Sequence, residues 1–398
     1  MEIIHWLQDV REHLRVSQRR KSLRQPGRGF DYTGDRYRDV VQRTVSAIHP
    51  RRMQLRVTEI IQQTPTTKTF CCQRTDGPVP PFRPGQYVNV FVDVDGVLTS
   101  RPYSIASAPP PGGDKGGSLL ELTVRDKPGG FVAPYLLHEV QVGDELETTG
   151  PQGSFYHEPL TDGDELVLFA GGSGITPFMS IIRDALGKGA EPAPLRIHLF
   201  YGSRVPEDVI YGGELAELAA AHPNFDYTLA ISEPPPDYEG IAGFLDANLI
   251  HERIGNVAGK TFYICGPNVM YDFCLAALTG LGVPARKIKR ELYGPPDDVT
   301  QEPGWPEGLA GDTLFDVEVV GHKTVRAPAG EPLMNTLERY GIIVPAVCRS
   351  GECSACRTRI LSGKVFQPAH TGLRESDREL GYVHACVSYP LGDLRIRL

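Results

Sequence analysis

No apolar run in this chain approaches the ~18 to 20 residues that a membrane span requires, and the first residues carry no apolar core of the secretory kind. A cytoplasmic protein is expected. Cysteine is sparse, eight in 398 residues, too few for a disulfide framework and suited to a reducing compartment. The eleven histidines show no metal-ligand spacing. Neither a serine-nucleophile elbow nor a zinc-protease motif occurs, which argues against those hydrolases, and there is no tandem repeat. No nucleic-acid partner is expected.

What the sequence does contain is concentrated near its end. Cys348, Cys353 and Cys356 stand in a Cys-x4-Cys-x2-Cys pattern, and Cys386 follows after twenty-nine intervening residues. This is the plant-type spacing of a [2Fe-2S] cluster. The residues between the first three cysteines are mostly small, so the backbone can turn tightly and aim N–H groups at sulfur. A zinc knob is the alternative, but tetrahedral zinc sites favour two short cysteine pairs, and Cys386 has no near neighbour in sequence.

Length and composition divide the rest. At 398 residues and 40% apolar, about three domains are expected. Residues 1–52 hold twelve Lys/Arg against six Asp/Glu, a surplus of six, so a net charge of −8 leaves −14 on the remainder. Ile3, Leu7, Val10 and Leu14 give residues 1–24 one apolar helical face beside a basic one. Such an arm suits a docking or membrane-surface helix, or a helix packed on the protein's own body or a dimer mate. Homo-oligomerisation and membrane contact are therefore left open.

Residues 53–158 read as short strands punctuated by Gly and Pro, the mark of an antiparallel barrel or sandwich: Gln54–Ile61, Thr67–Arg74, Tyr87–Val94 and Ser118–Arg125, with one short helix within Phe131–Val140. Residues 159–293 change character. Leu166–Ala170 is a continuous apolar run, as in a buried parallel strand, and it leads through Gly171-Gly172-Ser173-Gly174-Ile175-Thr176-Pro177 into a helical stretch. Further apolar strands at Arg196–Tyr201, Tyr227–Ile231 and Thr261–Cys265 alternate with helical segments, predicting an α/β nucleotide domain with ligand at the carboxyl ends of its strands. Residues 294–311 read as a linker, and 312–398 as a hairpin, a helix near Pro332–Tyr340 and the cysteines.

Arg101-Pro102-Tyr103-Ser104, following a strand in a β domain that precedes a nucleotide fold, resembles the flavin motif of the ferredoxin-NADP reductase family. The resemblance implies that Tyr103 lies against the isoalloxazine ring, Ser104 near its N5 edge, and Arg101 against phosphate. An aromatic face stacking on a flat ring and a guanidinium forking onto phosphate are physically apt. Gly129-Gly130-Phe131-Val132 resembles the family's second flavin segment, at the pyrophosphate. Ala133 and Pro134 stand where FAD-binding members often have Ser or Thr, so FAD is expected with FMN as the alternative.

Gly171, Gly172, Ser173, Gly174, Thr176 and Pro177 resemble the family's nicotinamide-nucleotide loop, and Cys265-Gly266-Pro267 its second nicotinamide element. The glycines would let backbone approach pyrophosphate, and Thr176 would cap the next helix or meet the carboxamide. On the same resemblance Tyr293 covers the flavin face that nicotinamide approaches, and Ser104, Cys265 and Tyr293 form the catalytic set. Ser203 and Arg204 fall near the adenosine ribose; Glu207, Asp208 and Glu214 nearby favour NADH, with NADPH the alternative.

The order of parts resembles reductases of the phthalate dioxygenase and vanillate demethylase type: an antiparallel β-barrel flavin domain, an α/β parallel-sheet nucleotide domain and an α+β β-grasp ferredoxin domain. The resemblance implies an NAD(P)H-dependent oxidoreductase that passes electrons through flavin to a [2Fe-2S] cluster and on, one at a time, to a partner oxygenase or demethylase. An electron-transfer subunit with another acceptor, and a redox-sensing flavoprotein, are the alternatives. Residues 312–398 hold ten acids and eleven Lys/Arg, so Arg349, Arg357 and Arg359, close to the cysteines, are expected to present a basic face to the acceptor.

Overall fold

Burial alternates along Met53, Leu55 and Val57, which point inward while Arg56 and Thr58 face out, as the two-residue period of a half-buried strand requires. In the computed structural model, which describes residues 14, 42–46, 50–110, 119–127, 129–187, 195–369 and 371–398, that strand is β1 (Met53–Thr64). The expected amphipathic helix over 1–24 lies, apart from Leu14, outside the described residues.

β2 (Thr67–Arg74), β3 (Tyr87–Val94), β4 (Val97–Ser104), β5 (Leu119–Arg125) and β6 (Glu145–Thr148) join β1 in the antiparallel order β4-β3-β6-β1-β2-β5. Ile105 bridges to Leu122, so the two outer strands meet and the sheet curls into the expected barrel. Helix α1 (Val132–His138) buries Val132, Leu136 and Leu137 against it. Two details differ from the sequence reading. Arg101–Ser104 does not follow a strand but forms the end of β4, and residues 145–148, outside the four strands expected, add the short strand β6.

The second sheet is wholly parallel: β7 (Glu165–Gly171), β8 (Arg196–Ser203), β9 (Phe225–Ile231), β10 (Ile241–Ala242), β11 (Lys260–Cys265) and β12 (Ile288–Glu291), in the order β10-β9-β8-β7-β11-β12. Helices α2 (Thr176–Leu186), α3 (Gly212–Ala221), α4 (Ala247–Ile254) and α5 (Asn268–Gly280) cover its faces, with one apolar core on each side. The chain builds outward from β7 to β10, then returns to place β11 on the other flank of β7. The carboxyl ends of β7 and β11 therefore form a topological switch point, where open α/β sheets bind ligands.

The third sheet, β14-β13-β19-β15-β17, is mixed. It comprises β13 (Leu314–Val319), β14 (Thr324–Pro328), β15 (Arg357–Ser362), β17 (Tyr382–His384) and β19 (Leu394–Arg397), with β16 (Val365–Phe366) and β18 (Tyr389–Pro390) as a separate pair. Helix α6 (Leu333–Arg339) packs across it, and α7 (Glu375–Glu379) precedes β17, giving the β-grasp form. The aperiodic stretch 294–311 is anchored to the β16-β18 pair. Trp305 meets Phe366 and Tyr389 edge-on at 5.3 and 6.3 Å, and Val299 is buried in the same cluster.

The first two sheets are joined by polar contacts. Arg183 of α2 donates to Glu121 of β5 at 2.6 Å and to the Ala106 carbonyl at 2.9 Å, and Arg125 donates to Asp208 at 2.9 Å. No helix among the described residues is long and apolar enough to cross a membrane.

Candidate functional site

β4 touches both of the other sheets. At its end Ser104, buried, has its Oγ 2.8 Å from the Tyr293 hydroxyl, just beyond β12. Five residues earlier, Thr99 accepts a hydrogen bond at 3.0 Å from Arg349, which directly follows Cys348. Tyr103 lies between these contacts, partly buried against the barrel core.

At the switch point the two nucleotide elements interlock. A Cβ on Gly174 would lie 2.0 Å from the Cys265 carbonyl oxygen, and one on Gly171 would strike Pro267 and Met270 at 2.6 and 2.7 Å. These glycines, which the sequence reading gave to pyrophosphate, also bring the loop against Cys265-Gly266-Pro267. Gly172, at φ +51, is the one that needs left-handed backbone. Thr176 does not cap the following helix: its hydroxyl turns back to the Ser173 carbonyl at 2.8 Å. Ser173 and Pro177 frame the same turn into α2.

Cys265 is fully buried at the end of β11. Burial pushes its thiol up, while hydrogen bonds with Tyr293 and Tyr271 act the other way. Tyr293 thus contacts both Ser104 and Cys265, and burial, then the Cys265 charge, push its phenol well up. These three residues, which the sequence reading named as the catalytic set, lie together in the structure. Glu291 is pushed up to about 8, first by burial, then by Glu352 and Cys348, so the end of β12 feels the cysteine loop. Tyr87 of β3 is pushed up by burial and then by Glu291, Cys348, Cys353 and Glu352. Residues from all three sheets face one junction.

Gly129, at φ +72, and Gly130, where a Cβ would lie 2.8 Å from the Lys127 carbonyl, set the sharp entry to Phe131, Val132 and α1. At the far end of β8, Ser203 Oγ donates to the Val205 carbonyl at 3.2 Å. Arg204 is exposed, 4.0 Å from Asp208 and 3.9 Å from Glu233. Glu207 and Glu214 do not supply its partners; Glu214 instead pairs with Arg183.

The cysteine loop is built by backbone geometry. Arg349, Gly351 and Ser354 all have positive φ, at 55°, 81° and 59°, which winds the chain around Cys348. The N–H groups of Ser350, Glu352 and Cys353 each donate to Cys348 Sγ at 3.4 Å. The Cys353 thiol, ahead of these backbone donors, holds the Cys348 thiol below its ordinary value. Cys356 and Cys386 lie with sulfurs 3.3 Å apart. Cys353 is exposed and the other three are buried. Four thiols in two pairs, with an N–H cradle on one sulfur and a Gly351 that has no room for a Cβ because Val387 would lie 2.7 Å away, fit a two-iron cluster.

Several residues here carried no signal that sequence reasoning used. His384 is fully buried and ties the loop down, its Nδ1 2.6 Å from the Gly351 carbonyl and Nε2 3.0 Å from Ser354 Oγ. The carbonyl can only accept, so Nδ1 carries a proton and donates to it. Its position two residues before Cys386 was the available clue. Arg349 does not join a basic face: its side chain is 5% exposed and pairs with Glu338 of α6. The expected face needed an outward side chain, and the left-handed turn aims this one inward. Arg357 and Arg359 are exposed, both over the Tyr382 ring, with Arg357 paired to Asp377 at 2.9 Å.

Comparison with known proteins follows the same order of parts. The chain matches the oxidoreductase FAD-binding domain family over residues 54–157, the oxidoreductase NAD-binding domain family over 168–275, and the 2Fe-2S iron-sulfur cluster binding domain family over 317–391. It is 30% identical to the NADH oxidoreductase HCR of Escherichia coli, with 87% of this chain and 97% of that protein covered. It is 26% identical to the glycine betaine monooxygenase reductase subunit of Pseudomonas aeruginosa, over 87% of this chain and 95% of the relative. Among solved structures, phthalate dioxygenase reductase superposes with a TM-score of 0.64 at 22% identity, covering 87% of this chain and 98% of that one.

Proposed function

Because the chain belongs to the iron-sulfur flavoprotein reductases, in which FAD- and NAD-binding domains are followed by a [2Fe-2S] domain, we propose that it supplies single electrons to a partner oxygenase or demethylase component. It is an oxidoreductase that moves electrons from NADH through FAD to the [2Fe-2S] cluster. When bound, the flavin takes two electrons as a hydride and releases them singly, which lets a two-electron donor feed a one-electron centre.

The single observation that carries the reading is the reach of β4, which hydrogen-bonds to the cysteine loop through Thr99 and to Tyr293 through Ser104. Five residues of strand, about 17 Å, separate these contacts, so the flavin-motif strand lies between the dinucleotide end and the cluster end of the molecule. Tyr103 offers its ring to the isoalloxazine and Arg101 its guanidinium to phosphate. Gly129, Gly130, Phe131 and Val132 place backbone N–H groups at the start of α1 for the rest of the phosphate chain. Ser104 sets a hydroxyl at the reacting edge, with Cys265 beneath it, and Tyr293 shields the face from water until nicotinamide displaces it. Gly172, Ser173 and Thr176 line the nucleotide loop with Gly171, Gly174, Gly266 and Pro267 holding it in shape, and Ser203 and Arg204 meet the adenosine ribose. Asp208 and Glu233 beside Arg204 supply negative charge where a 2′-phosphate would sit, which supports NADH.

Cys348, Cys353, Cys356 and Cys386 are the iron ligands on this reading. The domains run over residues 53–158, 159–293 and 312–398, after an arm at 1–52, and the 294–311 segment holds the third beside the first. The relatives named as monooxygenase and demethylase reductase subunits support the partner class. Arg357 and Arg359 are the exposed positive charges closest to the cysteines in sequence and would meet an acidic acceptor face. Eight free cysteines support a cytoplasmic setting.

The test is capture of the acceptor from the native cell, followed by anaerobic stopped-flow reduction of it by NADH and this protein. Reversing the charge of Arg357 and Arg359 is expected to slow that reduction about tenfold while leaving NADH-ferricyanide turnover unchanged. A captured oxygenase component that this protein cannot reduce would overturn the reading.

A further inference from the structure

Two guanidiniums and one carboxylate share a pocket between the flavin barrel and the cysteine loop. Glu338 of α6 is 5% exposed and accepts from Thr99 Oγ1 at 3.0 Å and from both terminal nitrogens of Arg349. Arg349 Nη2 also donates to Thr99 at 3.0 Å. Arg101 Nη1 donates to the same Thr99 hydroxyl at 2.6 Å and to the Ser100 carbonyl at 2.8 Å, and it lies 4.0 Å from Glu338. One hydroxyl and one carboxylate are therefore contested by two cations, one from the barrel strand β4 and one from the cysteine loop.

The charge count does not close. Among the described residues, Glu338 is the carboxylate within ion-pair distance of either arginine, so one positive charge is left over, that of Arg101, whose side chain is 26% exposed. Buried Arg349 Nε also faces no partner atom. A partly buried cation without a matching carboxylate is stabilised by an anion that supplies the missing charge. Burial and then Arg349 push the Arg101 guanidinium down to about 10, as an excess of positive charge would.

We propose that Arg349 is a positioning residue for the flavin phosphate: by occupying Glu338 from the cysteine loop, it keeps Arg101 free to hold that phosphate. The inference rests on the reading of Arg101 as the phosphate ligand. Its consequence is that flavin binding and docking of the iron-sulfur domain reinforce one another. With Arg349 in place, Glu338 is matched and Arg101 seeks an external anion. Without it, the nearest cation to Glu338 is Arg101, and carboxylate competes with phosphate.

This logic gives opposite signs to two substitutions that break the same ion pair. Full-length protein carrying its cluster, stripped of flavin, is titrated with FAD and followed by flavin fluorescence. Arg349→Gln is expected to weaken FAD about tenfold, the size of one charge-assisted contact. Glu338→Gln removes the competitor and is expected to bind FAD at least as tightly as the native protein. The double variant should return to within about threefold of native, because Arg101 is free again. Arg349→Lys, which keeps the charge at the loop, should also stay within about threefold. A contact that merely glued the domains together would make both single variants weaker and the double no better.

The cluster's visible absorbance and its electron paramagnetic resonance signal after reduction verify that each variant retains a folded loop; should Arg349→Gln lose it, Arg349→Lys and Glu338→Gln carry the test. Arg101→Gln separates the two ideas. Unchanged FAD affinity in Arg101→Gln would remove the phosphate reading itself. Weak binding in Arg101→Gln together with equal losses in Arg349→Gln and Glu338→Gln would overturn the role given to Arg349 alone. So would weak binding in Glu338→Gln and Arg349→Lys.

Discussion

The hydroxyls of Ser104 and Tyr293 lie 2.8 Å apart although 189 positions separate them in the chain. One ends the barrel strand β4 and the other follows β12 of the parallel sheet, so the contact ties the first two sheets together where, on the proposed reading, ring and nicotinamide would meet. Because Cys265 touches the same tyrosine, a change at any of the three residues reaches the others.

Ser104→Ala removes a hydroxyl from the reacting edge and leaves Tyr293 without that partner. Hydride transfer from NADH to the bound flavin should slow by about 10²-fold, with FAD still retained through Arg101 and the α1 entry. Anaerobic stopped-flow absorbance measures the first quantity and the protein-bound FAD content the second. An unchanged transfer rate would remove Ser104 from the chemistry.

Asp162 predicts a pH effect on stability. Burial alone would raise its pKa, but the Glu158 N–H at 2.7 Å, Lys289 at 2.5 Å and the Tyr263 hydroxyl at 2.7 Å outweigh burial and hold the carboxyl below its ordinary value. A depressed folded-state pKa means that the stabilisation is complete above the unfolded-state carboxylate pKa and is lost as pH falls through the folded one. Thermal midpoints of the native protein should therefore fall on acidification below about pH 4, and Asp162→Asn should flatten that dependence. The substitution strands Lys289 and should cost about 3 kcal/mol near neutrality, read by denaturant unfolding.

The parts of this molecule that a reader of the sequence could find are those with a fixed period or spacing. The apolar run Leu166–Ala170 could belong only in a sheet covered on both faces, and β7 is such a strand. The cysteine spacing marked its loop because metal geometry tolerates few alternatives. What escaped notice depends on contacts between distant segments. Glu338 sits on a short helix and reads as a solvated charge, yet it is buried against β4. Arg349 looked outward because charged loop residues usually are, while its positive φ turns it in. Gly171 and Gly174 were assigned to a ligand because glycine-rich loops often bind one; that a Cβ there would also strike other parts of the protein is visible only in the fold. Segment 294–311 has a linker's composition, and only Trp305 among its residues hinted at an anchor.

Gly174→Ala tests that interlock. The new Cβ would sit 2.0 Å from the Cys265 carbonyl, and backbone on both sides leaves no flexible side chain to yield. A loss of about 2 to 3 kcal/mol in the stability of the nucleotide domain is expected, with NADH affinity falling more than FAD affinity. Alanine at Gly213, where a Cβ meets nothing within 4 Å, serves as the control. Equal, small effects of the two substitutions would show that the loop has slack.

His384→Ala should make the cluster labile without disturbing the flavin. The ring is fully buried and holds the Gly351 carbonyl at 2.6 Å and Ser354 Oγ at 3.0 Å, so it braces the turn that wraps Cys348 from behind. Removing it leaves a carbonyl and a hydroxyl without their partner and opens a void, together worth about 2 to 4 kcal/mol. That loss falls on the loop supplying three of the four thiols, whereas β4 and the switch point are built by other contacts. Bleaching of the visible iron-sulfur absorbance by a chelator should accelerate at least tenfold, while reduction of the flavin by NADH keeps its native rate. His384→Gln can donate to Gly351 or accept from Ser354 but cannot span both, so it should fall between native and alanine. A chelation rate in His384→Ala equal to native would mean that the left-handed turns alone hold the loop, and the ring has no part in retaining iron.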